Sequence, residues 1–222
     1  MAVSYSEDHS DFADADRGFL GTMSPSTITA ADGTVVFDAD ALAFVSGDAP
    51  DEVHPSLWRQ AKLTSRHGLY EVAPGFYQVR GFDISNMTLV EGNAGVIVID
   101  PLVSAETAAA ALALYRSHRG DRAVTAVIYT HAHIDHFGGV LGVVEASTDV
   151  PILAPEHFLE HAVSENVYAG VAMLRRGYYY DGHPLDASPT GAVGIGLGPR
   201  TSAGAVGLLP PTVDITRTGQ EE

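Results

Sequence analysis

Residues 123–129, AVTAVIY, run without a break into residues 130–139, THAHIDHFGG. The first seven are β-branched, aromatic and small apolar residues, the pattern of a strand buried in a sheet. The next ten carry four ligand-type side chains within six positions: His131, His133, Asp135 and His136. Imidazole and carboxylate are the donors that borderline divalent ions such as zinc accept. In extended chain, residues two apart point the same way, so His131 and His133 suit one ion. Asp135 and His136 fall where the chain turns towards a helix and can reach a second ion. Two ions roughly 3.5–4 Å apart can act on one substrate together. Gly138 and Gly139 let the backbone turn beneath the ions without a Cβ in the way. A buried strand ending in such a loop places it at the carboxyl end of a sheet, where α/β folds hold their ligands.

Working outward, residues 69–72 and 76–80 flank Ala73-Pro74-Gly75 and predict a hairpin. Residues 87–91 and 96–99 flank a Gly-Asn-Ala-Gly loop and predict a second one. Residues 96–99, VIVI, predict a central strand buried on both faces. Ser104 is set to cap an Ala-rich helix through Tyr115, with Glu106 in its first turn and Arg116, His118 and Arg119 before Gly120. After the His-rich stretch the pattern predicts a short helix at 140–145, a strand at 151–153, and a helix from Pro155 to about Asn166. From Gly182 the chain is rich in Gly, Pro, Ser and Thr and predicts long loops with short strands. Strand–helix alternation of this kind predicts an α/β layered fold.

The 222 residues carry a formal net charge of −16 and no cysteine. Disulfides, thiol nucleophiles and Cys-ligated metals are excluded. An acidic chain argues against nucleic-acid binding, which needs Lys and Arg for counterion release. No apolar run reaches the roughly 18 residues of a membrane span, and the acidic start lacks the features of a secretory signal, so the expected location is cytoplasmic. Residues 1–55 hold eleven acidic side chains and one basic one, Arg17, which is −10 of the −16. This segment reads either as an arm that wraps another part of the protein or binds a partner, or as a solvated leader.

The stretch HAHIDHFGG behind an apolar strand resembles the HxHxDH signature of the metallo-β-lactamase superfamily, which implies an αββα sandwich and a zinc site. Within it, the chain is similar to alkylsulfatases. The likeness rests on residues 80–88, on VIDPLVSAETA (98–108) and AVIYTHAHIDHFGGV (126–140), on residues 160–180 and 196–212, and on PSLWRQ (55–60). It implies two Zn2+ ions, with His131 and His133 on one and Asp135 and His136 on the other. It implies two further glutamates and a histidine from later sequence. It implies cleavage of alkyl sulfate esters to alcohol and sulfate through a metal-bound hydroxide, and homodimers formed through a region absent here. After Arg200 the only acids are Asp214, Glu221 and Glu222, and no histidine follows. The expectation is therefore an N-terminal portion: an acidic extension at 1–60 and the first half of the sandwich at 61–222. Alone it should bind zinc weakly, expose the inner face of its sheet and lack activity. The alternatives are another hydrolase of the superfamily, of thioesterase or lactamase type, or a non-catalytic product of a split gene.

Three weaker constellations remain. His157, Glu160 and His161 form H-x-x-E-H, a zinc pattern when it stands on a helix. Arg175-Arg176 before three tyrosines suits a sulfate head and an alkyl tail, although packing and solvation explain it as well. The Gly-rich stretch at 191–198 lacks the strand–helix context of a phosphate loop.

Overall fold

The computed structural model of the chain describes residues 9–147, 149–180, 182 and 184–219. A short helix, α1 (Ser10–Asp16), is followed by β1 (Phe19–Gly21), by β2 (Thr27–Thr29) and β3 (Val35–Asp38), and by helix α2 (Pro55–Thr64). Next come β4 (Gly68–Ala73), β5 (Phe76–Arg80), β6 (Met87–Glu91) and β7 (Val96–Ile99). Helix α3 (Ala105–Arg119) leads to β8 (Val124–Ile128), then to two 3-10 turns, Ile134–His136 and Val140–Gly142, and to β9 (Ile152–Pro155). Helix α4 (Phe158–Val163), a π-helical turn (Ser164–Tyr168), α5 (Gly170–Tyr180) and β10 (Val213–Ile215) complete the order.

Eight strands form one sheet in the order β1-β4-β5-β6-β7-β8-β9-β10, and β2 pairs with β3 apart from it. Pairing is antiparallel from β1 to β7 and parallel from β7 to β10. Both expected hairpins form. The parallel part follows from α3, whose crossover returns the chain to the same end of the sheet. Ser104 caps α3 by accepting from the Thr107 amide, and Gly120 closes it at φ 84°.

One face of the sheet is sealed. Across the strands, Tyr77, Leu89, Val98, Val127 and Ile152 stand in register, and all are buried against a core that includes Ala108, Ala111, Leu112 and Tyr115 of α3. Each such apolar side chain is worth about 1.5–3 kcal/mol when fully buried. The other face differs. Its registered rows, Val90, Ile97 and Ala126, and Ile99, Ile128 and Leu153, are only half-buried, and Phe76 beside Val90 is 48% exposed. The expectation that residues 96–99 are buried on both faces is thus corrected, and the strand expected at 123–129 is likewise buried on one face only. A helix layer covers one side only, and β-branched residues on the second side remain part-exposed, as the half-sandwich expectation requires.

Two further expectations change. Pro155 does not start a helix; it ends β9, paired with Ile215 of β10. The helix expected from 155 to 166 is shortened to α4 and continued by the π-helical turn. The helix expected at 140–145 is a single 3-10 turn.

From residue 9 onward the acidic segment wraps the molecule. Both carboxylate oxygens of Asp11 accept from Arg59 at 2.7 Å, Asp16 pairs with Arg66, and the Phe12 ring lies under both guanidinium groups. Ile28, Val36 and Phe37 join the main core. Trp58 of α2 centres a second one with Leu42, Val45 and Val193.

Candidate metal centre

The site grows from the ends of two neighbouring parallel strands. β7 ends at Ile99 and is followed by Asp100, which takes the left-handed conformation at φ 55°. β8 ends at Ile128 and is followed by Tyr129, fully buried, and then by Thr130. Asp100 Oδ1 accepts from the Thr130 amide at 2.8 Å, and its Oδ2 accepts from the Thr130 hydroxyl at 2.7 Å and from His136 Nδ1 at 2.8 Å. With its hydrogen given to Asp100, Thr130 Oγ1 is left to accept from His131 Nδ1, 2.9 Å away. One carboxylate therefore orients two imidazoles and leaves Nε2 of each pointing outward, the arrangement that supports metal-binding histidines.

The four predicted residues gather as two pairs. His131 Nε2 lies 3.1 Å from His133 Nδ1. His136 Nε2 lies 3.2 Å from Asp135 Oδ2. Two ligands of one tetrahedral zinc ion, each about 2.0–2.1 Å from it, stand roughly 3.3 Å apart, so both spacings suit shared ions. Among the described residues, no group of three or more ligand side chains converges on one point. The donors fit a borderline divalent ion in chemistry and in pairwise spacing. Glu221, Glu222 and His183 lie outside the described residues.

The charges inside the loop are strongly coupled. Burial alone would lower the His136 pKa, but the Asp100 and Asp135 carboxylates outweigh it and hold the imidazole up at about 9. Burial, with the neighbouring His136 and His133, depresses His131. Burial would raise Asp135, yet its hydrogen bond to His136 brings it below the usual carboxylate range.

The glycines act differently from the expectation. A Cβ on Gly138 would stand 2.3 Å from the Val103 carbonyl oxygen, and one on Gly139 would stand 2.0 Å from that of Pro101. They are needed because the ligand loop lies flat on the backbone leading into α3, where the Gly139 amide donates to Leu102 at 2.9 Å.

Four supporting residues escaped the sequence reading. Asp100 is one; its signal is an acid directly after a β-branched strand, as the ligand loop itself directly follows a strand. Ser85 is buried and donates to the Asp135 carbonyl. Glu165, in the π-helical turn, places Oε1 3.4 Å from His133 Nε2, and its neighbour Asn166 donates to the Ala132 carbonyl at 3.4 Å. Such turns recur at functional sites, but nothing in this sequence marks one.

A cavity of about 470 Å³ opens beside the loop, bordered by His133, Asp135 and Glu165. Its apolar wall is Ile84, Ile134, Leu174, Ile195 and Leu197, and Arg176 of α5 lines it as well. Arg176 alone of the Arg175-Arg176 motif thereby borders the site, whereas Arg175, Tyr178 and Tyr179 are exposed and the Tyr180 side chain lies outside the description. The H-x-x-E-H pattern does not stand whole on a helix. His157 precedes α4 at φ 66° and faces Glu160 at 3.6 Å on the surface.

The description "Metallo-beta-lactamase superfamily" matches residues 80–216, from the last residue of β5 through β10. The chain belongs to the metallo-β-lactamase superfamily. Members of this superfamily generally bind zinc. Within the superfamily, the chain is 49% identical to a linear primary-alkylsulfatase from a Pseudomonas species, over 96% of this chain and 33% of that protein. It is 45% identical to the alkyl/aryl-sulfatase BDS1 of Saccharomyces cerevisiae, over 96% of this chain and 34% of that one. The solved structure of the stereoselective inverting sec-alkylsulfatase Pisa1 from Pseudomonas superposes with a TM-score of 0.90 at 45% identity, covering 95% of this chain and 34% of that chain. The chain thus spans about a third of the length of these relatives. No described helix is long and apolar enough to cross a membrane.

Proposed function

We propose that this chain carries the first ligands of a dinuclear zinc site that hydrolyses alkyl sulfate esters to alcohol and sulfate. His131 and His133 would hold one ion, and Asp135 and His136 the other. The observation that carries this reading is the meeting of the two donor pairs with a cavity that combines an apolar wall and a guanidinium. An alkyl sulfate has those two parts. The wall formed by Ile134, Leu174 and Leu197 takes the alkyl chain by burying it. The Arg176 guanidinium can grip two oxygens along one edge of the tetrahedral sulfate by two hydrogen bonds. Zinc, when bound, supplies Lewis acidity and brings the ionisation of water towards neutral pH. Asp100 keeps the imidazoles of His131 and His136 turned outward throughout. The names of the relatives support the substrate class.

The test is complementation. The zinc-loaded chain is mixed with the remaining two-thirds of the related Pseudomonas primary-alkylsulfatase, and sulfate release from decyl sulfate is measured. Release that disappears in His131→Ala is the expected result. Cleavage of an acyl thioester or a β-lactam with decyl sulfate untouched would instead assign another activity of the superfamily. A second reading, a non-catalytic partner chain, is favoured because no three ligand side chains converge among the described residues. It holds if the mixture binds zinc and releases no sulfate.

A further inference from the structure

Six polar side chains are buried among the described residues: Asp83, Ser85, Asp100, Ser104, Thr107 and Ser202. Asp100 serves the ligand loop directly. Ser85 touches it as well, and the other four lie behind it. Asp83, 1% exposed, sits in the loop between β5 and β6. Its Oδ1 accepts from the Ile84 amide at 2.9 Å and the Ser202 amide at 3.0 Å. Its Oδ2 accepts from the Val103 amide at 3.3 Å, from Thr107 Oγ1 at 2.9 Å and from Ser202 Oγ at 2.6 Å. Ser104 Oγ, the α3 cap, lies 2.8 Å from Ser202 Oγ. Burying a carboxylate costs several kcal/mol unless donors surround it. Five donors at the N-terminus of α3 do so here.

Both arms leaving Asp83 end on the ligand loop. Two residues along, Ser85 donates to the Asp135 carbonyl. On the other arm, the strand-like run after Ser202 is pinned by Ala203 N to the Val36 carbonyl and by Ala205 N to Glu106. Gly207 N then donates to the Gly138 carbonyl at 2.7 Å. Just upstream of Ser202, the chain supplies Ile195, Leu197 and Thr201 to the cavity wall. The same carboxylate thus grips the segment that shapes the cavity and the loop that fixes Asp135.

We propose that Asp83, Ser85 and Ser202 are positioning residues that couple the cavity wall to the ligand loop, so that ion binding and docking of residues 201–207 reinforce each other. The ion-binding half of this proposal rests on the proposed zinc site; the mechanical half does not. Linkage makes the coupling reciprocal. A variant that loosens the 201–207 segment weakens ion binding without touching a ligand, and a bound ion quiets that segment.

The test uses the 222-residue chain, its Ser202→Ala and Ser85→Ala variants, and Ser85→Thr, which keeps the hydroxyl. Hydrogen exchange followed by mass spectrometry is measured on metal-free protein for peptides covering residues 131–139 and 201–207. Ser202→Ala is expected to speed exchange in both peptides by at least about fivefold, and Ser85→Ala in the first, with Ser85→Thr near the parent. Cobalt(II) titration then reads the ion. Affinity is expected to fall about tenfold in Ser85→Ala and to return in Ser85→Thr, with the visible cobalt bands showing altered coordination only in the alanine variant. If Ser202→Ala leaves exchange at 131–139 unchanged, the coupling is overturned. If the parent takes up no cobalt, the zinc-site reading falls, and the metal-free exchange still decides the coupling.

Discussion

Replacing Asp100 by asparagine isolates the group that organises the ligand loop. Asparagine keeps the shape of aspartate and tolerates the left-handed backbone at φ 55°. It cannot keep the bonding. The carboxylate accepts from three donors, two of them on Oδ2, and an amide offers one oxygen. If that oxygen serves His136 and the Thr130 hydroxyl, the NH2 group faces the Thr130 amide, donor against donor. The charge is lost as well, and with it much of what holds His136 at about 9. In the metal-free chain a raised histidine pKa stabilises the fold. The gain is fully present below the unfolded value near 6.5 and is lost as pH rises through about 9. Two and a half pKa units correspond to about 3 kcal/mol at most, shared between Asp100 and Asp135. Urea unfolding at pH 6 and pH 9.5 in the presence of a chelator should therefore show the parent losing about 2–3 kcal/mol across that window. Asp100→Asn should lose less than half as much, because its advantage at pH 6 is already gone. An equal loss in both proteins would refute the assignment of Asp100 as the partner of His136. Zinc competition with a chromophoric chelator gives the second reading. Loss of such a support lowers metal affinity about 10–100-fold, and unchanged affinity would contradict the geometry described.

Gly139→Ala should destabilise the chain by more than about 2 kcal/mol in thermal melts, since its Cβ meets the Pro101 carbonyl oxygen at 2.0 Å. A neutral result would mean that the ligand loop does not lie on the 101–104 backbone. Glu91 accepts from Arg119 at 3.0 Å and from the Tyr115 hydroxyl at 2.9 Å, and the Arg119 bond pulls its pKa below the usual range. Its contribution is present above pH 4.5 and lost as pH falls through the folded value, so Glu91→Gln should flatten the acid limb of stability measured between pH 5 and 3. Ile97→Lys, on the half-buried face of the sheet, should reduce binding of the dye ANS and lower the apparent mass in light scattering while leaving the melting temperature within a few degrees. A large fall in melting temperature would show that this face is sealed.

What was legible in the sequence was local. The β-branched runs at 96–99 and 123–129, the capped alanine-rich helix, and the four donors in six positions all announce themselves within about fifteen residues. Their burial did not, because VIVI looks the same whether one face or two are covered. Only the register of β7 against β6 and β8 shows that Ile97 and Ile99 share the open side. The support of the site was hidden for a related reason. Asp100 and His136 are 36 positions apart, and Asp83 and Ser202 are 119 apart. Serine, threonine and aspartate in loops are ordinary solvated residues until a fold buries them together. Pro155 misled because a proline suits either a first helical turn or the end of a strand at a sheet's border; its pairing with Ile215 lies sixty residues away.

The two buried carboxylates explain why the four donors of residues 131–136 stand in place. Asp100 acts on side chains, setting imidazole orientation through one hydroxyl and one direct bond. Asp83 acts on backbone, setting the carbonyls of Asp135 and Gly138 through Ser85 and the Ser202 segment. The direct contacts of Asp83 and Asp100 fall between residues 83 and 202, and the Ser202 segment is pinned in addition to the Val36 carbonyl. Each carboxylate is costly to bury, and a loop whose only task was to connect β8 to β9 would gain nothing from either. Their presence is the strongest physical sign that the geometry of residues 131–136 is what this part of the fold maintains.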